Sequence, residues 1–180
     1  MEPVRIVTGR AVPLDRSDVD TDQIIPSDWL KRIERTGFGA GLFSEWRDDR
    51  DFELNKPEHA VWALVDYGFA VVVSPRFGDI FRNNSTRSGL VPAQVSAQDG
   101  RRLLELVAAD PTLELTVDVE RRTIEVPAAG VSVGFTLDDT ARERLLLGLD
   151  DIGVTLTHEP EIDAYEAERP AFMPSLRASA

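Results

Sequence analysis

Phe69-Ala70-Val71-Val72-Val73-Ser74, then Phe77 to Asn84, then Gly89-Leu90-Val91-Pro92, is the stretch that decides the fold. Its first six residues are a near-continuous apolar run, as expected of a strand buried on both faces. Phe77 to Asn84 reads as a helix, Gly89 breaks it, and Leu90 to Pro92 reads as a second short strand. Strand, helix and strand in that order imply a right-handed parallel crossover, and with it an α/β fold. Upstream, Val61, Leu64 and Val65 recur at helical spacing in a segment that opens at Glu58 and stops at Gly68. A parallel unit should feed that helix from a strand. Phe52-Glu53-Leu54-Asn55-Lys56-Pro57 is too short and too polar to be one, so the first layer of the unit is wanting.

Farther out, Val4 to Leu14 reads as one or two strands, broken by Gly9 and Pro13. A carboxylate-rich turn from Asp15 to Asp22 follows, and Ser27 is the expected N-cap of a short helix from Asp28 to Glu34. On the other side, Leu103, Leu104 and Val107 mark a helix that ends at Asp110-Pro111. Leu113, Leu115, Val117 and Val119 alternate onto one face. With Thr123 to Val126 and Val131 to Phe135 they predict a small antiparallel sheet. Asp138-Asp139 opens a helix whose Ala141, Leu145 and Leu149 share a stripe, with negative charge at the positive end of the dipole. Pro170 and Pro174 make 165–180 an irregular tail. The whole of 1–180 reads as a single domain, a mixed sheet flanked by helices.

Composition narrows the chemistry. The chain has 180 residues, 42% hydrophobic and 29% charged, weighs 20.0 kDa and has a mean hydropathy of -0.19. That describes a soluble globular domain. No run approaches the roughly 20 apolar residues of a membrane helix, and MEPVRIVTGR lacks an apolar signal core, so a cytoplasmic protein without membrane contact is expected. The net charge of -12 argues against general nucleic-acid binding. There is no cysteine, and the only histidines are His59 and His158. Disulfides, a thiol nucleophile, a thiolate zinc site and a cysteine-ligated cluster are thereby excluded from this chain. The cationic residues are 18 Arg and 2 Lys, which reads as a composition bias of the source genome. Chemistry here must use carboxylates, hydroxyls, arginines, amides or a partner's cofactor.

Four groups of residues draw notice. Asp18, Asp20 and Asp22 alternate as the oxygen ligands of a hard cation do, but without the glycine and distal glutamate of a calcium loop. Asx-type turns that satisfy backbone N–H groups explain them more simply. His59, near the start of a helix, is either a structural residue or an acid/base group kept neutral by the dipole. Arg76 follows the apolar strand, where open α/β sheets bind ligands. It meets either an anion or a solvated carboxylate. Trp29, Phe38, Phe43 and Trp46 fit core packing or a partner interface.

Asp20-Thr21-Asp22-Gln23-Ile24-Ile25-Pro26, Arg35-Thr36-Gly37-Phe38-Gly39, Glu58-His59-Ala60-Val61-Trp62-Ala63-Leu64, and Ser74-Pro75-Arg76-Phe77-Gly78-Asp79-Ile80-Phe81-Arg82-Asn83-Asn84 stand in one order. Together they resemble the small subunit of 3-isopropylmalate dehydratase, a relative of the aconitase swivel domain. The resemblance runs over nearly the whole chain, through Gly89-Leu90 to Leu149-Asp150-Asp151-Ile152. It implies an aconitase swivel-like α/β domain that closes an active site on a separate large subunit. It also implies that the large subunit holds a [4Fe-4S] cluster acting as Lewis acid, and that this chain holds no cofactor. The pair would dehydrate 2-isopropylmalate, a small dicarboxylate, and rehydrate it as 3-isopropylmalate in leucine biosynthesis, with a small-subunit serine removing the carbon-bound proton.

The sequence departs from that family at one place. Family members carry a strand and a Gly-Ser-Ser-Arg turn directly before the Glu-His-Ala segment, whereas here Asn55-Lys56-Pro57 runs straight into Glu58. The strand absent from the family pattern is the one absent from the α/β pattern. With it go the base serine and the arginine that grips a substrate carboxylate, so no catalytic residue is assigned. The resemblance implies substrate-site roles for Asp20, Thr21 and Asp22 in the pocket wall, and for Leu30, Lys31 and Arg32 in the loop that reads the variable group. His59 would abut the lost turn, and Arg76 lies at the strand end. Two functions follow: a hydro-lyase subunit whose catalysis is in doubt, or a non-catalytic swivel subunit that docks on the large one.

Overall fold

The computed structural model describes residues 1–16, 19, 21–24, 44 and 68–168. Its elements are β1 (Ile6–Arg10), α1 (Thr21–Ile24), β2 (Val71–Ser74), α2 (Asp79–Arg87), β3 (Val91–Gln94), α3 (Ala97–Ala109) and β4 (Glu114–Asp118). They continue as β5 (Thr123–Val126), a 3-10 turn (Pro127–Ala129), β6 (Val131–Gly134), α4 (Asp139–Leu147), α5 (Asp151–Leu156) and α6 (Glu159–Ala167).

The deciding stretch folds as a parallel unit. β2 and β3 pair in parallel with Val71 opposite Val91 and Ser74 opposite Gln94, and α2 connects them. A second sheet is antiparallel throughout, in the order β1-β4-β5-β6. The alternation of Leu115 and Val117 on β4, Ile124 and Val126 on β5, and Val131 and Val133 on β6 turns one face of that sheet inward. These side chains join Val91, Ala93 and Val95 from the parallel sheet, Leu103 and Val107 from α3 and Leu145 from α4 in one core. The expected mixed α/β architecture is therefore present, as two sheets sharing a core. The sheets are stitched at Gln94, whose N–H donates to the Thr136 carbonyl at 3.3 Å while Thr136 N–H donates back at 2.7 Å.

Helix ends follow local chemistry. Ser96 Oγ accepts from Asp99 N–H at 3.0 Å and donates to the Asp99 carboxylate at 2.6 Å, opening α3. At its far end, the hydroxyl and then the amide of Thr112 hydrogen-bond Asp110 and hold its carboxyl below the usual carboxylate range. Asp138 Oδ1 accepts from the N–H groups of Thr140 and Ala141 at 3.0 and 3.1 Å, so α4 begins where the Asp138-Asp139 pair predicts. Replacing Asp138→Ala removes both bonds, and we expect a loss of about 0.5–2 kcal/mol in denaturant unfolding. A change under a few tenths would show that the cap contributes nothing.

Four expectations need correction. The strand after Phe69 is not buried on both faces: Val73 is 36% exposed and Val71, Val72 and Ser74 are half-buried. Among the described residues β2 pairs with β3 alone, so no second neighbour covers it. The helix after Ser74 starts at Asp79, because Gly78 is an extended N-cap, and it reaches Arg87 by burying Ser85 and Thr86. Val4 to Leu14 yields one strand, β1, an edge whose Ile6 is largely exposed. The tail does not become irregular at Tyr165, because α6 runs through Ala167 before the first of the two prolines. The helices expected from Asp28 and from Glu58 lie outside the described residues.

Candidate active-site edge

The carboxyl ends of β2 and β3 lie side by side, the place where an open parallel sheet presents loops to a ligand. β2 ends at Ser74, whose Oγ accepts from Arg76 N–H at 3.3 Å and donates to the Arg76 carbonyl at 2.8 Å. That pair of bonds turns the chain sharply through Pro75 and fixes the backbone of Arg76, whose side chain is exposed. β3 ends at Gln94. Its Oε1 accepts from Arg82 Nη2 at 3.1 Å in a half-buried contact that ties α2 to the strand end. Arg82 also lies 3.9 Å from Asp79 one turn earlier, a pair too exposed to add much. Phe77 and Phe81 stack with ring centroids 5.7 Å apart and pack the start of α2. The edge thus presents a hydroxyl, an amide and two guanidinium groups. This set suits a carboxylate or hydroxyl ligand and contains no group placed to remove a proton from carbon.

Of the eight residues singled out in the sequence, only Arg76 has a described side chain, and it stands on this edge. Thr21 and Asp22 are placed in α1 by their backbone alone. Asp20, Leu30, Lys31, Arg32 and His59 lie outside the described residues. Sequence reasoning missed Gln94. Its signal was its position as the last residue of a short strand that begins at Val91. No cluster of three or more metal-ligating side chains occurs among the described residues. With no cysteine anywhere in the chain, the donors of an iron–sulfur cluster are missing, and we derive no step through such a group. No helix among the described residues is long and apolar enough to cross a membrane.

A mixed α/β domain with a ligand-facing parallel edge places the chain among the aconitase swivel-like proteins. Residues 55–98 match the model of the aconitase C-terminal domain. Residues 151–178 match the model of the C-terminal domain of the 3-isopropylmalate dehydratase small subunit. The small subunit of 3-isopropylmalate dehydratase from Frankia casuarinae is 56% identical over 195 positions, covering 97% of this chain and 99% of its own. Those of Rubrobacter xylanophilus (53%, 97% and 98% covered) and Acidothermus cellulolyticus (52%, 99% and 100% covered) are similar over the same extent. In three dimensions the chain resembles a crystal structure of 3-isopropylmalate dehydratase from Methanocaldococcus jannaschii. The TM-score is 0.64 at 17% identity, covering 88% of this chain and 98% of that one. The chain belongs to the 3-isopropylmalate dehydratase small-subunit family.

The alignments also bear on the internal gap. The one to the Frankia protein spans 195 positions, more than the 180 residues this chain possesses. Part of that relative's interior therefore has no counterpart here. The match to the aconitase C-terminal domain begins at residue 55, beside the Asn55-Lys56-Pro57 junction.

Proposed function

We propose that this chain is the small subunit of a two-subunit hydro-lyase acting between 2-isopropylmalate and 3-isopropylmalate, and that as encoded it assembles without supplying the base. The observation that carries this reading is an alignment covering almost all of both chains yet longer than this one. Similarity at 56% argues for the same substrate and the same partner. The internal shortfall, set at the junction before Glu58, argues that the strand and its Gly-Ser-Ser-Arg turn are gone. The large subunit holds the [4Fe-4S] cluster, which fits a chain without cysteine. The protein works in the cytoplasm as one domain over 1–180. Asp20, Thr21 and Asp22 line the pocket wall, while Leu30, Lys31 and Arg32 contact the variable group of the substrate. His59 borders the vacated turn, and Arg76 supplies positive charge at its rim.

Co-purification with a cluster-loaded large subunit tests the assembly. A stable one-to-one complex is the expected result, and failure to associate would sink the reading. The intact mass of the chain should be 20.0 kDa. A higher mass would return the turn to the protein and remove the reason for expecting it to be inactive.

A further inference from the structure

None of the nine residues of α6 is buried. A helix this short does not persist in water on intrinsic propensity. Glu159 and Glu161 favour its first turn, but no basic residue stands in its last turn, where Glu166 opposes the dipole. Its larger apolar side chains share a side. Ile162 and Tyr165 are three residues apart, 40% and 63% exposed, and on α5 Ile152 and Leu156 are four apart, 71% and 59% exposed. A helix with no interior of its own and aligned apolar side chains is built to be covered.

Charge selects what covers it. Residues 150–168 contain seven carboxylates and neither Lys nor Arg, His158 being the only basic side chain. A second copy would set these carboxylates against one another, a repulsive arrangement at close range. A cationic surface with an apolar recess is the complementary shape. The same stretch falls within residues 151–178, which match the model specific to the small-subunit family, whereas the match to the general aconitase domain ends at residue 98. The acidic helix pair is therefore a feature of chains that work as one of two subunits.

We propose that α5 and α6 form a docking face for the large subunit, with Ile152, Leu156, Ile162 and Tyr165 seated in an apolar recess rimmed by Lys and Arg. This rests on the small-subunit reading above. The test pairs the Ile162→Ser/Tyr165→Ser variant with an Ile6→Ser control on β1, each titrated against the cluster-loaded large subunit by calorimetry. The double variant should bind at least about tenfold more weakly, as loss of an aromatic anchor does. Its unfolding midpoint should be unchanged, because neither side chain is buried. Binding within twofold of the unaltered chain overturns the docking face alone. No binding by the unaltered chain overturns the small-subunit reading and the docking face together.

Amide exchange in 159–167 distinguishes the other occupants. Fast exchange in the free chain that slows in the complex supports the large subunit. Protection in the free chain that vanishes on removal of 169–180 puts the chain's own tail there. Protection that vanishes on dilution puts a second copy there. Either of the last two overturns the proposal.

Discussion

Reconstituted with its large subunit, this chain should turn over 2-isopropylmalate ~10²–10⁴-fold more slowly than a version with the Frankia relative's internal segment restored before Glu58, the range typical for losing a general base. The difficult step of such a dehydration is removal of a proton from carbon, and it needs a strong base held within reach. The described edge has one hydroxyl near enough to consider, Ser74. Its Oγ is committed to both the N–H and the carbonyl of Arg76, and a serine serves as base only as an alkoxide held by nearby positive charge. Three forms separate chemistry from architecture. The restored chain should be fast. The restored chain with both turn serines changed to alanine should be as slow as the unaltered one while keeping its stability. The restored chain with the turn arginine changed to alanine should lose mainly in KM, because that residue grips a carboxylate in ground state and transition state alike. An unaltered chain within a few-fold of the restored one would show that a residue of this sequence already performs the base's role.

The parallel unit was legible because a six-residue apolar run, a glycine and a second apolar run admit few topologies. β5 was legible to the residue, since alternation over four positions fixes which side chains turn inward. What escaped the sequence was determined by neighbours distant along the chain. The exposure of Val73 depends on what lies beyond β2, and no local pattern records a missing partner strand. Gln94 is one polar residue at a strand end until Arg82 reaches it from α2 and Thr136 pairs with it from the other sheet. The site was legible mostly through motif order. Its roles come from a resemblance, and of its members only Arg76 is seen to stand where a strand-end residue should.

Gly148→Ala should be the most damaging single-methyl change in the described residues, lowering stability by about 2–4 kcal/mol, and Gly130→Ala is the control that says why. Both glycines are left-handed caps, Gly148 at φ 68° after α4 and Gly130 at φ 62° after the 3-10 turn. Each alanine therefore meets the same backbone penalty of roughly 1–2 kcal/mol. Their surroundings differ. A Cβ at Gly130 meets nothing within 4 Å, whereas at Gly148 it would stand 2.6 Å from the Met1 carbonyl oxygen and 2.9 Å from Pro3 N. Those are backbone atoms, so a side-chain rotation cannot relieve the overlap and the N-terminal segment must move. Moving it endangers the Met1 ammonium bond to the Gly148 carbonyl at 3.1 Å and the Val4 N–H bond to the Leu145 carbonyl at 2.7 Å. The first places positive charge at the negative end of α4, and each bond contributes about 0.5–1.5 kcal/mol. Denaturant unfolding of the two variants should differ by at least about 1 kcal/mol. Equal losses would mean that the N-terminal segment detaches freely, and that only the left-handed conformation resists the methyl group.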